Sequence, residues 1–195
     1  MKIGRPKSKQ PMPPDAKLVF KGKIFDVYQW EQTLFDGTKT TFEKLKRADT
    51  VVVILVTAEG KIVLTMQEQP GKTPFLGCAG GRAEAGEDPL AAARRELLEE
   101  TGYESDDVVL WHALQPTSKL DWAIYTFIAR GCRKTAEQNP DAGEKIELKL
   151  VDFDEFMQAA TEDDSFMETE TTIELLRAKN DPRKMAEIKK LFGLG

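Results

Sequence analysis

The chain has 195 residues, 41% hydrophobic and 31% charged, with a formal net charge of −5. These values describe an ordinary globular chain able to bury a substantial core, and the acid excess excludes nonspecific nucleic-acid binding as a main role. No run approaches about 18 consecutive apolar residues, so no membrane-spanning helix is expected.

Residues 1–16 combine Lys2, Arg5, Lys7 and Lys9 with Pro6, Pro11, Pro13 and Pro14. They lack the apolar stretch of a signal peptide and read as a flexible or extended tail. Residues 17–47 form an N-terminal β segment. Stretches 18–20 and 23–32 alternate as strands, Asp36-Gly37 marks a hairpin turn, and 39–46 returns. Residues 48–180 make the main domain. Its first strand, 50–57, reads TVVVILVT, the continuous β-branched run of a strand buried on both faces. Glu59-Gly60 turns the chain and 62–67 pairs back; 108–114, 122–130 and 146–151 are further strands. Helices are predicted over 154–160 and from a Ser165 cap to 179. Asp181-Pro182 opens a last helix, within 181–195, that stops at Gly193. Cys78 and Cys132 are too few for a disulfide framework or zinc site and read as reduced thiols of a cytoplasmic protein. The single histidine, His112, has no second histidine to complete a ligand set and reads as structural.

The chemistry concentrates in GRAEAGEDPLAAARRELLEETGY, residues 81–103. Asp88 followed by Pro89 is a helix start, the Ala-, Leu-, Glu- and Arg-rich run after it a strong helix, and Gly102 its stop. On that helix Glu96, Glu99 and Glu100 stand at i, i+3 and i+4 and share a face, while Leu90, Ala93 and Leu97 fall on a core-facing stripe. Like charges so spaced destabilise a helix unless something opposes their repulsion. A hard divalent cation that prefers oxygen ligands and accepts phosphate would do so.

The spacing Gly81-x5-Glu87-x7-Arg95-Glu96-Leu97-x-Glu99-Glu100-x-Gly102 resembles the Nudix box. With each identity near one in fifteen by composition, chance agreement is on the order of 10^-8. One departure is Tyr103, where the family has an aliphatic residue. The resemblance implies an α/β/α sandwich with a mixed sheet, and an enzyme hydrolysing nucleoside diphosphates linked to another moiety. It implies Mg2+, with Mn2+ as a substitute, held by the Gly80 carbonyl, Glu96, Glu99, Glu100 and Glu144. Arg95 and Glu87 would position the carboxylates, and Gly81 would allow close approach of phosphate. The general base is left among Glu99, Glu144 and a metal-activated water.

Residues 22–47 and the stretch from Glu144 onward are similar to the ADP-ribose pyrophosphatase and nucleotide-sugar branch of that family. That likeness implies Phe42 stacking on the base, Arg47 at the diphosphate-ribose part, and a homodimer formed through the β segment. Gln69 stands where the branch carries arginine, Ala79-Gly80-Gly81 replaces its Pro-Ala-Gly, and Ala142 occupies a position often acidic. Competing readings are a Nudix hydrolase of nucleoside triphosphates or damaged nucleotides, and a non-catalytic nucleotide sensor. No membrane or nucleic-acid partner is expected.

Overall fold

A computed structural model describes residues 3–194. The alternating N-terminal stretch forms β1 (Lys17–Lys21), β2 (Asp26–Thr33) and β3 (Lys39–Lys46), paired antiparallel with Trp30 opposite Phe42. The Asp36-Gly37 turn joins β2 to β3. Gly37 adopts φ 85°, and the Asp36 carboxylate accepts the Thr38 amide at 2.9 Å.

The buried run is β4 (Thr50–Thr57), followed by β5 (Ile62–Glu68) and two short strands, β6 (Phe75–Gly77) on β5 and β7 (Ala79–Arg82) on β4. Helix α1 (Pro89–Thr101) comes next. After it run β8 (Tyr103–Glu104), β9 (Asp107–Leu114), β10 (Leu120–Asp121), β11 (Ile124–Lys134) and β12 (Lys145–Val151). The chain closes with α2 (Phe153–Glu162), α3 (Thr169–Lys179) and α4 (Pro182–Leu191).

Strands β12-β5-β4-β11-β8 make one mixed sheet, with β6, β7 and β9 attached at its flanks and β4 parallel to β11 at its centre. Alternation through that pair divides the core. Val52, Ile54, Val56, Ile124 and Ile128 pack with α2, α3 and α4, whereas Val51, Val53, Leu55, Tyr125 and Phe127 pack with Ala92, Ala93 and Leu97 of α1. The result is the expected α/β/α sandwich. The N-terminal sheet has the order β1-β2-β3-β10, so its antiparallel segment gains a parallel edge strand from the main domain.

Residues 3–16 of the stretch expected as a flexible or extended tail bend at 9–10, turn at 14–15 and are tied to the domain. Arg5 pairs with Asp49 and Asp121 at 2.8 and 2.7 Å, and the Pro6 carbonyl accepts from Gln115. Lys44, 1% exposed in the middle of β3, donates to Ser8 Oγ and the Gln10 carbonyl at 2.8 and 2.6 Å. A buried ammonium needs such partners, and the folded tail supplies them.

Ser165 does not cap α3. Its amide and hydroxyl both donate to Asp163 Oδ1, closing a turn, and the helix starts later with Glu168 at the N-cap position. Glu168 caps nothing either, because its carboxylate reaches across to the Cys78 amide. Helix α2 begins at Phe153 on a full capping box between Asp152 and Glu155, and Asp181 caps α4 as expected.

Candidate active site

Helix α1 starts as its sequence directs: Asp88 Oδ1 accepts the Leu90 amide at 2.9 Å, Pro89 opens the first turn, and Gly102 closes the helix in the left-handed region at φ 73°. Burying Ala92, Ala93 and Leu97 against β4 and β11 turns Glu96, Glu99 and Glu100 toward β7. There the glycines matter. A Cβ on Gly80 would lie 2.3 Å from the Val51 carbonyl oxygen, and one on Gly81 would lie 2.5 Å from Glu96 Oε1. Bare backbone thus lets β7 press on β4 from one side and admits Glu96 from the other.

Glu100 is 3% exposed, and its Oε2 accepts the Gly80 amide at 2.9 Å. Burial pushes its carboxyl up to about 8; the Gly80 amide opposes the rise, and the charges of Glu96, Glu144 and Glu168 add to it. Burial also raises Glu96, against the pull of Arg95. Arg95 is the organiser of this wall. It donates to both oxygens of Glu87 at 3.1 Å, to Glu96 at 2.8 Å, to Glu99 at 3.1 Å and to the Arg82 carbonyl at 3.0 Å. Those bonds hold Glu87 below the usual carboxylate range.

The opposite wall comes from strand ends. Glu144 precedes β12, whose pairing sets Lys145 beside Glu68, so Gln69 falls next to Glu144 and donates to its Oε1 at 3.2 Å. Burial and Asp141 raise the Glu144 carboxyl. Gln138 ties this loop to α1 by donating to the carbonyls of Glu100 and Ile146.

The two walls enclose a cavity of about 1460 Å³. Of the residues singled out in the sequence, Arg47, Gln69, Gly80, Gly81, Arg95, Glu96, Glu99, Glu100 and Glu144 line it. Glu87 sits behind Arg95 and borders an adjoining cavity of about 1060 Å³. Phe42 lines neither; it lies near Trp30, with the Lys119 ammonium over its ring at 4.8 Å. The aromatic that the N-terminal segment brings to the cavity is Phe25, with Ile24, from the β1–β2 turn. Arg47 is held between aromatic rings, 4.9 Å from the Trp122 centroid and 5.8 Å from that of Phe25, and its buried Nε has no partner. Desolvation, and Arg82 nearby, lower its pKa.

Phe25, Gln138 and Glu168 escaped the sequence reading. Phe25 falls in the stretch 23–32 that reads as a strand but lies in the turn before β2, and the other two act across loops whose course the sequence does not encode locally.

Among the described residues no three His, Cys, Asp or Glu side chains close into a ready-made cation cluster, and Arg95 engages both Glu96 and Glu99. The donors nonetheless fit a hard divalent ion in kind. They are all oxygen, one is a buried carboxyl raised by its neighbours, and a bound cation would relieve that repulsion.

An acidic, glycine-floored cavity on an α/β/α sandwich is the setting of a pyrophosphohydrolase, and comparison with known proteins agrees. The NUDIX domain family matches residues 46–169. The chain is 32% identical over 147 residues to an ADP-ribose pyrophosphatase of Bacillus subtilis (strain 168), covering 74% of this chain and 76% of that protein. It is 31% identical over 144 residues to a methanol dehydrogenase activator of Bacillus methanolicus, covering 72% and 77%. A crystal structure of an ADP compounds hydrolase superposes with a TM-score of 0.70 at 19% identity, over 91% of this chain and 97% of that one, a likeness of fold. The chain belongs to the Nudix family.

Proposed function

We propose that the protein hydrolyses the diphosphate linkage of a nucleoside diphosphate derivative, ADP-ribose or a related nucleotide sugar, to a nucleoside monophosphate and a sugar phosphate. The observation that carries this reading is the arrangement of the large cavity. Glu96, Glu99, Glu100 and Glu144 face it from the main domain, and Ile24, Phe25 and Arg47 face it from the N-terminal segment. One side suits a diphosphate bound together with a cation and the other a flat, partly apolar group attached to it.

Bound at Glu96, Glu99, Glu100, Glu144 and the Gly80 carbonyl, Mg2+ or Mn2+ would neutralise diphosphate charge and activate water for in-line attack at phosphorus. The chain's own residues do the positioning. Arg95 fixes Glu96 and Glu99, whose oxygens a bound cation would share. Gln69 orients Glu144 at the edge of the cavity, where it or Glu99 can take the proton of the attacking water. Arg47, with donors not consumed by a carboxylate, is suited to hold phosphate oxygens.

Dimerisation through the N-terminal sheet belongs to the same reading. That segment exposes Leu18, Val19, Phe20, Ile24, Phe35 and Leu45, an apolar surface that a second copy would cover. Phe42 would then have a route to a site it does not reach within its own chain. A cytoplasmic location accords with Cys78 and Cys132, both buried and unpaired.

The test is a Mg2+-dependent panel of ADP-ribose, nucleotide sugars, dinucleotides and triphosphates, with products identified by mass. Nucleoside monophosphate plus sugar phosphate is the expected result. Pyrophosphate released chiefly from triphosphates would replace this substrate class with the nucleoside-triphosphate one.

A further inference from the structure

We propose that Glu168 is a positioning residue for the carboxylate site: from the start of α3 it holds the backbone of residues 77–80 so that Gly80 meets Glu100. The contacts form a continuous line. The Leu76 amide donates to the Ser165 carbonyl and the Met167 amide to the Leu76 carbonyl, both at 3.0 Å, so the chain leading into α3 runs beside β6 like a further strand. Glu168 then turns inward, and its Oε1 accepts the Cys78 amide at 3.1 Å. Its approach depends on Gly77, where a Cβ would stand 2.8 Å from Oε1 and 3.2 Å from Oε2. Two residues further along the same short segment, the Gly80 amide donates to Glu100 Oε2 at 2.9 Å. Two carboxylates therefore each hold an amide of the short segment 78–80, Glu168 at Cys78 and Glu100 at Gly80, with β4 fixing its register at Val53–Ala79 and Val52–Gly80.

The second oxygen of Glu168 is buried without a hydrogen-bond partner. A carboxylate placed only for stability would not leave an oxygen so enclosed, since an unpartnered buried polar atom is costly. What the fold gains is the fixed Cys78 amide. Losing that acceptor frees residues 77–80 to shift toward solvent, and Glu100 loses the amide that sets its rotamer. Glu168 touches neither substrate nor cation in this scheme; it acts through the strand.

The inference rests on the proposed hydrolase reading for its kinetic readout, and the test separates the two. Wild type, E168Q and E168L are compared as full chains by kcat and KM for ADP-ribose with Mg2+. Mn2+ titrations of the substrate-free proteins, followed by electron paramagnetic resonance, give a second readout. E168L is expected to lower kcat and weaken Mn2+ binding by about 10- to 100-fold with KM little changed, and E168Q, which keeps the acceptor oxygen, to stay within about threefold of wild type. A folded E168L with wild-type kcat and Mn2+ affinity overturns the proposal, as does an E168Q as impaired as E168L. If E168L does not fold, E168D decides: one methylene too short to reach Cys78, it should show the same losses, and wild-type behaviour would sink the idea. A wild type inactive on every diphosphate substrate, with Mn2+ binding still weakened in E168L, would reject the hydrolase reading and support the role of Glu168.

Discussion

Gly80 and Gly81 are neighbours in β7, yet the same added methyl group should have opposite consequences at each. In Gly80→Ala the new Cβ would sit 2.3 Å from the Val51 carbonyl oxygen and 3.0 Å from the Val52 Cα. Both obstacles are backbone of the central strand, so neither can swing aside, and relief requires β7 to part from β4. Overpacking of that kind costs about 1–3 kcal/mol. For a chain of this length each kcal/mol moves Tm by about 2–4 °C, so a fall of roughly 2–12 °C is expected. In Gly81→Ala the Cβ meets Glu96 Oε1, Cδ and Oε2 at 2.5, 2.6 and 2.7 Å. Those atoms end a flexible side chain that can rotate away, giving up its 2.8 Å bond to Arg95. Stability then changes little, while the carboxylate leaves the cavity and kcat falls on the order of 10- to 100-fold. Thermal denaturation by circular dichroism and initial rates on the same preparations measure both effects. A Gly81→Ala enzyme with normal kcat, or a Gly80→Ala protein with unshifted Tm, would refute the reasoning about what each glycine makes room for.

Glu99→Gln and Glu100→Gln should each lower kcat by about two orders of magnitude or more with the fold retained. In parallel, chelation by EDTA should abolish wild-type activity and Mg2+ restore it; persistence of activity in chelator would contradict the metal-assisted scheme. In metal-free protein the Glu100 carboxyl, raised to about 8, binds its proton more tightly folded than unfolded, so stability falls as pH rises toward 8. Glu100→Gln should lessen that decline, the remainder coming from Glu96, Glu144 and Glu168, whose carboxyls burial also raises, and should melt higher than wild type at pH 8; an equal slope in both proteins would count against the buried-carboxyl picture. His112 titrates in the other sense. Both ring nitrogens are buried without partners and burial lowers its pKa below 6.5, so its contribution is whole above that pH and is lost as pH falls through the folded value. His112→Leu should therefore flatten the acid side of a Tm-against-pH curve, and an unchanged curve would dismiss the effect. Phe25→Ala should raise KM with kcat nearly constant, by the about 1–3 kcal/mol that a ring stacked on a base contributes; unaltered KM would remove Phe25 from the binding surface.

Where the signal was local, the sequence already carried the answer. Asp88-Pro89 and Gly102 delimit α1, the three glutamates share the face their spacing requires, and the run in β4 is buried on both sides as its composition demands. Short strands were harder. Residues 75–77 and 79–82 hold glycines and no alternation long enough to read, and they become strands only because β5 and β4 offer free edges. Ser165 has the chemistry of a cap, but Asp163 lies closer and claims it.

What the sequence alone determined is the reactive face: a helix whose period of 3.6 residues puts Glu96, Glu99 and Glu100 together wherever that helix packs. Tertiary structure decided everything that depends on separate segments meeting. It set Glu144 beside Gln69, gave Arg95 its hold on Glu87, brought Phe25 rather than Phe42 to the cavity within one chain, and aimed Glu168 at the Cys78 amide. The reason is physical. Helical periodicity is a property of neighbouring residues, whereas the meeting of residues 75 or 90 positions apart, as in Gln69 with Glu144 and Cys78 with Glu168, is fixed only when the sheet register and the packing of both faces are complete.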